Sequence, residues 1–394
     1  MRILHTVEFY DPARGGAEEV VRQISEGLAR RGHQVTVATT FVPHRRQRQL
    51  QGVKIEDFQI RGNAAFGMKG EVQRYRSFLL EERFDLMMNY AAQVWTTDMA
   101  LPLLKFISAA KVLAPCGLSA LRKWWLRLLY AAYFNALPRY LHEYDAVVYH
   151  SRSTLDRAFG DRHGIGNGVL IPNGAPRGEF AQRVCGFRKA FGLENCFLVL
   201  NVSNHHRIKG HYDLYAVLER AGQPNLRLAV IGDRPTGGRS CFSRCEAEAS
   251  RSGGKIVLLE GVARPLVISA FFEADLFVLT SEVECFPLVI LEAMAAGTPW
   301  ISFPAGNVRE LQGGLVVDSP RELAAAIGFL SNDPAARRLL GEKGRSSWQQ
   351  SYTWDRILNL YESLYYRLVC GDFIPATRAV QWQETPNSTF PLSF

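Results

Sequence analysis

The chain has 394 residues, of which 47% are hydrophobic and 21% charged; this supplies apolar material for two ordinary cores and excludes a disordered composition. Lysine and arginine number 46 against 38 acidic residues, and the net charge of +8 suits anionic ligands or an anionic membrane surface. The seven cysteines are odd in number and lack a C-x-x-C pair, which argues against a disulfide framework or a zinc ribbon and for a reducing cytoplasm.

The opening "MRILHTVEF" reads as a strand, not an apolar leader. Residues 2–7, a glycine-containing loop, a helix running through "ARRGHQ" and a strand over 35–40 form the start of a doubly wound α/β domain. "FDLMMNY", "AKVLAP", "YDAVVYHS" and "GVLIPNGA" supply later strands. The apolar stretch 102–121 is broken by Lys105 and Lys111, so no transmembrane span is expected. Pro172, Gly174 and Pro176 punctuate a linker, and the pattern then restarts. "FLVLNVSN", "LRLAVIGD", "KIVLLEGV", "ADLFVLTS" and "PWISF" are strand candidates of a second α/β half, closed by helical "RELAAAIGFL" and "PAARRLLGEKGRSSWQQ". In the last helical stretch Trp354, Ile357, Leu358, Tyr361, Leu364, Tyr365 and Leu368 share a face, which suits a return to the first half. The expected division is 1–172 with 353–370, a linker at 173–190, a second domain at 191–352 and an irregular tail at 371–394.

Residues 280–303, "TSEVECFPLVILEAMAAGTPWISF", carry two carboxylates around a helix start. Pro287 suits the first helical position and Gly297 the end. Free N–H groups and the positive helix end favour a phosphate. Glu292, one and a half turns in, can accept two hydrogen bonds from a vicinal diol such as a ribose, and Glu284 in the preceding loop can reach a sugar hydroxyl. Spacing alone favours solvent-facing glutamates on an amphipathic helix.

"ECFPLVILEAMAAGTPWISFPAGNVREL" resembles the E-x7-E signature of retaining GT-B glycosyltransferases, in particular glycosyltransferase family 4, with Cys285 in place of the usual glycine. The likeness extends to "PARGGAEEVVRQISEGLARRGHQVTV", "IPNGA", "IKGH" and "YTWDRILNLYESLY". It implies a GT-B fold: two doubly wound Rossmann-like domains facing a cleft, with the C-terminal helix crossing back to the first. On this resemblance Glu284 holds donor-sugar hydroxyls, Glu292 holds the ribose, and N–H groups of Phe286 and Leu288 face the sugar or diphosphate. Gly15 and Gly16, in a loop that is not G-x-G-x-x-G, correspond to the family's glycine-rich loop toward donor phosphates and acceptor.

Growing charge on a leaving diphosphate needs either a carboxylate-held metal or fixed cations and N–H dipoles. No D-x-D occurs; "NHHRIKGH" instead places Arg207 and Lys209 just after a strand. Lys209 matches the family directly. The usual arginine five residues earlier is Asn204, so Arg207 stands in from another point of the loop. The adjacent His205 and His206 make poor chelators, Cys241 and Cys245 lack histidines at metal spacing, and no metal is expected. Cys116 stands where relatives often carry a histidine and reads as a small apolar filler. Residues 118–144 are basic and aromatic, with Arg122, Lys123 and Arg127 beside Trp124, Trp125 and Tyr130; they suit either an anionic lipid surface or a core helix with snorkelling cations. "HRRQRQ" at 44–49 reads as a solvated cationic loop.

The expectation is a cytoplasmic, metal-independent, retaining enzyme without cofactor, peripheral to the inner face of a membrane. It would move a sugar from a UDP- or GDP-linked donor to a glycan or lipid-linked acceptor in surface polysaccharide synthesis, with no nucleic-acid partner. The rivals are an epimerase or phosphorylase on the same fold, and a degenerate, membrane-associated scaffold.

Overall fold

The computed structural model describes residues 1–371 apart from 14, 123, 221–222 and 235–239; the expected tail beyond Gly371, Lys123 and Arg14 lie outside the described residues. The chain forms two units. The first is Met1–Ile171 with the chain from Asp355 onward, and the second is Pro172–Trp354.

The first unit is built on an eight-stranded sheet. Its strands are β1 (Arg2–Thr6), β2 (Gln34–Thr40), β3 (Gln49–Leu50), β4 (Val53–Phe58), β7 (Leu86–Tyr90), β8 (Ala110–Ala114), β9 (Ala146–Tyr149) and β10 (Gly168–Leu170), while β5 (Ile60–Asn63) and β6 (Gly67–Gly70) form a separate hairpin. The order is β10-β9-β8-β7-β1-β2-β4-β3, parallel except for the β3–β4 pair. Parallel strands covered on both faces read as continuous apolar runs, and β7 and β9 are buried at every residue. The segment 49–70 had no strand assigned from sequence. There Lys54, Glu56 and Asp57 alternate with buried Val53, Ile55 and Phe58, so the apolar run that marks a central strand is missing.

The second unit has a six-stranded parallel sheet of β11 (Phe197–Val202), β12 (Leu226–Ile231), β13 (Ile256–Leu259), β14 (Leu276–Leu279), β15 (Trp300–Ser302) and β16 (Gly314–Val316). Its order, β13-β12-β11-β14-β15-β16, reverses direction between β11 and β14. Ligands of open α/β sheets bind beyond the carboxyl ends of the strands at such a switch point. Residues 173–190 are not a free linker. Phe180 and Phe187 are fully buried, Phe180 packs on Phe272 at 5.7 Å between ring centroids, and the Phe187 N–H donates to Ser269 Oγ.

Helix Trp354–Cys370 belongs, from Asp355, to the first unit. Its Tyr365 hydroxyl lies 3.1 Å from His5 Nε2 on β1, and Glu362 pairs with Arg31 at 2.8 Å and His33 at 3.0 Å. Arg45 of the 44–49 loop is not solvated: its guanidinium is buried against Asp57 at 3.1 Å and donates to the carbonyl of Asp11.

Candidate active site

In the second unit, the loops after β11 and β14 meet at the switch point. The first loop tightens into a short 3-10 turn, Arg207–Lys209, closed by Gly210 at φ +67°. A Cβ at Gly210 would sit 2.1 Å from the Thr280 carbonyl oxygen, so only glycine permits this approach. The loops are stitched together where the Glu282 N–H donates to the Ile208 carbonyl (2.8 Å) and the Thr280 hydroxyl to the Lys209 carbonyl (3.0 Å). These bonds aim Lys209 Nζ at Glu284 Oε1, 2.7 Å away.

Helix Leu288–Ala296 follows. Pro287 is its N-cap, one position earlier than expected, and no side chain caps its first N–H groups. Phe286 is buried against Tyr352, with centroids 6.1 Å apart. Glu292 Oε1 accepts from Arg264 Nη2 at 2.5 Å, and Arg264 also binds Glu179 Oε2 through Nε (2.9 Å) and Nη2 (2.6 Å). Neither glutamate is solvent-facing: the Glu284 and Glu292 side chains are 15% and 13% exposed. Burial alone would lower the Arg264 pKa, but Glu292 and Glu179 more than offset it and raise it. Arg264 and Glu179 were missed in the sequence. The only signal was Arg264-Pro265 opening a helix after the β13 loop.

Asn204 and Arg207 are exposed beside this pair of loops. The expectation that Cys241 and Cys245 lack histidine partners is corrected: folding brings buried His205 and His211 beside them, while His206 is left out.

The first unit holds the remaining expected residues. Gly15 is the extended N-cap of helix Gly16–Arg30, and the space beside Gly16 is open. Cys116 is not a buried filler. It is half-buried at φ +58°, with Sγ 3.9 Å from the Tyr90 hydroxyl, which in turn reaches His150 Nε2 at 3.1 Å. Ala91, Gln93, Cys116 and Leu118 all have positive φ in the loops after β7 and β8, and backbone strain of this kind gathers at functional sites. Residues 124–129 form a helix whose Trp124, Trp125, Leu128 and Leu129 are exposed, so the reading of a core-packed helix is corrected for this part. Helix Ala131–Leu141 does pack inward, through Phe134, Leu137 and Leu141.

Two doubly wound α/β units in one chain, with a lysine–glutamate pair at the switch point of the second, define a two-domain architecture with a candidate ligand site at the strand ends. Comparison with known proteins agrees. Residues 14–177 match the model "Glycosyltransferase Family 4" and residues 187–347 the model "Glycosyl transferases group 1". The O-antigen chain mannosyltransferase C of Escherichia coli is 24% identical over 94% of this chain and 99% of its own. The N-acetyl-alpha-D-glucosaminyl L-malate synthase of Bacillus anthracis is 27% identical, but that match spans about half of each chain, 49% and 51%. Among solved structures, a sucrose-phosphate synthase from Thermosynechococcus elongatus superposes with a TM-score of 0.79 at 21% identity, over 94% of this chain and 100% of that one. Anabaena HepE in complex with UDP-glucose gives 0.75 at 19%, over 92% and 99%. The chain belongs to the GT-B glycosyltransferases, with a family 4 first half and a group 1 second half.

Proposed function

We propose that the chain is a retaining hexosyltransferase that uses a nucleoside diphosphate sugar and needs no metal at the reacting centre. The observation that carries this reading is the Lys209–Glu284 pair, held at 2.7 Å at the carboxyl ends of β11 and β14. A diphosphate beside the Leu288 helix N-terminus would recruit Lys209, and Arg207 from the same turn, as its charge grows. Glu284, released from Lys209, would accept from donor-sugar hydroxyls, and Glu292, oriented by Arg264, from the ribose diol. The N–H of Leu288 and the backbone at Phe286 would line the diphosphate. Asn204, Gly15 and Gly16 stay assigned to the donor on resemblance.

In the step itself the bond from the anomeric carbon to the leaving phosphate oxygen breaks. An acceptor hydroxyl oxygen bonds to the same face of that carbon, and its proton passes to the leaving phosphate. No protein nucleophile is required. The donor in this reading is a uridine or guanosine diphosphate sugar; the HepE neighbour, solved with UDP-glucose, supports uridine. The near full-length likeness to an O-antigen mannosyltransferase supports surface polysaccharide as the setting, with a glycan or lipid-linked acceptor. Peripheral contact with an anionic membrane is supported by exposed Trp124, Trp125, Leu128 and Leu129 near Arg122 and Arg127. Among the described residues no helix is long and apolar enough to cross a membrane.

A thermal-shift panel of UDP, GDP, ADP and CMP tests the donor, because stabilisation grows with ligand concentration over its dissociation constant. Lys209→Ala should then lower turnover by roughly two to three orders of magnitude, the effect of losing one transition-state donor. Wild-type turnover in that variant would place the phosphates elsewhere.

A further inference from the structure

His205, His211, Cys241 and Cys245 are all buried, and one ligand atom from each lies within 4.8 Å of the others. They come from two elements. His205 and His211 bracket the Arg207–Lys209 turn, Cys241 is the N-cap of helix Phe242–Arg251, and Cys245 follows one turn later. The two Sγ atoms are 3.7 Å apart. His211 Nδ1 is 3.4 Å from Cys241 Sγ and 4.0 Å from Cys245 Sγ, and His205 Nδ1 is 4.0 Å from Cys241 Sγ. Bonds of about 2.3 Å to sulfur and about 2.0–2.1 Å to nitrogen, at tetrahedral angles, set S···S at about 3.8 Å and S···N at about 3.6 Å. The S···S separation and the shortest S···N separation therefore already match a tetrahedral shell, and the two S···N separations of 4.0 Å need to close by only about 0.4 Å.

Simple core packing does not explain these groups. The His205 ring is fully buried with no hydrogen-bond partner at Nε2, an arrangement that native cores avoid. Behind His211, by contrast, the hydrogen bonds form a complete chain. Asn201 Nδ2 donates to the Val278 carbonyl at 2.8 Å, so its Oδ1 accepts from the Ser203 hydroxyl, also at 2.8 Å. Ser203 Oγ must then accept from His211 Nε2–H, 2.8 Å away. This chain fixes the His211 tautomer and turns the Nδ1 lone pair toward both thiols, which is how a metal-ligating histidine is oriented.

We propose that His205, His211, Cys241 and Cys245 bind one structural Zn²⁺ that ties the Arg207–Lys209 turn to helix Phe242–Arg251. Two imidazoles and two thiolates in a tetrahedron select zinc and neutralise its charge, and four protein ligands leave no open position for chemistry. Binding releases the two thiol protons to solvent. The ion acts at a distance, by holding in register the loop that carries Lys209. That link to transfer rests on the donor reading above, whereas metal binding does not.

The full-length chain, purified under reductant without chelator, should carry about one zinc per chain by mass spectrometry of its metal content. Anaerobic Co²⁺ titration of the stripped chain should give the visible bands of tetrahedral, thiolate-bound cobalt, saturating at about one equivalent. Returning Zn²⁺ to the stripped chain should raise its melting temperature. Cys245→Ser and His211→Asn should lose zinc and the cobalt bands, and Cys185→Ser, at an exposed cysteine outside the cluster, should keep both. Should the ligand variants fail to fold, the wild-type metal count and cobalt titration decide alone. A chain with all thiols free that neither carries zinc nor develops cobalt bands would overturn the site, as would a Cys241–Cys245 disulfide in the reduced preparation. Lys209→Ala should retain full zinc, so a failed transfer reading and a failed metal site give different results.

Discussion

Glu284 and Glu292 are equivalent in spacing but face different partners, Lys209 and Arg264. Losing a charged acceptor costs roughly 1.5–3 kcal/mol, about ten- to a hundredfold in affinity. Glu292→Gln should therefore weaken free nucleoside diphosphate and intact donor alike, while Arg264 keeps Glu179 and the fold survives. Glu284→Gln should spare nucleotide binding and cripple transfer. Calorimetry with the product nucleotide, beside single-turnover rates, separates the two; equal loss of nucleotide affinity would misplace the donor. Asp98 gives a pH test in the first unit. Burial pushes its carboxyl up from 3.8 to about 6, although the Ala64 N–H donates to it at 2.9 Å. Between those values the folded chain holds a proton that the unfolded chain has released, so stability falls as pH rises through the window. Asp98→Asn should flatten that fall in urea midpoints taken from about pH 4 to about pH 7. An unchanged profile would show that Asp98 ionises normally.

The Leu288 helix owes its position to a close helix contact. On helix Pro334–Ser351, a Cβ at Gly341 would lie 2.1 Å from the Gly297 carbonyl oxygen that ends the Leu288 helix. In an open helix Gly→Ala gains about 1 kcal/mol of propensity. Here overpacking against rigid backbone should cost about 1–3 kcal/mol, so the sign reverses. Gly341→Ala should lower the urea midpoint and weaken donor binding, because Glu292 rides on the displaced helix. A stabilised variant would mean that the helices slide apart freely. Local caps start the neighbouring helices: the Ser319 hydroxyl accepts from the Glu322 N–H and donates to the Glu322 carboxylate, and Asp333 accepts from the Ala336 N–H. The helix contact was not legible in the sequence, since glycine in a helix carries no label for what it touches.

At the scale of the molecule, the chain leaves its first unit at Ile171 and returns to it from Asp355. The return helix buries Ile357, Tyr361 and Tyr365, and Leu358 packs over Gly27. A chain ending at residue 353 should aggregate or lose cooperative unfolding in its first unit; a soluble, cooperatively folding product would show that unit complete without the helix. The exposed Trp124 and Trp125 carry the membrane proposal. Trp124→Ser with Trp125→Ser should abolish co-sedimentation with anionic vesicles and leave the circular dichroism spectrum unchanged. Retained binding would assign the lipid surface elsewhere.

What the sequence determined by itself was whatever is local or periodic. Buried parallel strands such as β9 and β14 announce themselves as apolar runs, and the helix end at Gly297 as a left-handed cap. Family resemblance pointed to Glu284, Glu292 and Lys209 as candidates, because a motif keeps its place within a shared fold. The tertiary structure decided the partners. Arg264 reaches Glu292 across 28 positions, Lys209 meets Glu284 across 75, and His205 meets Cys241 across 36. No spacing rule covers such separations. They are set by strand order, which places the ends of β11 and β14 side by side, and by loop bonds and glycine approaches that form only once the sheet exists.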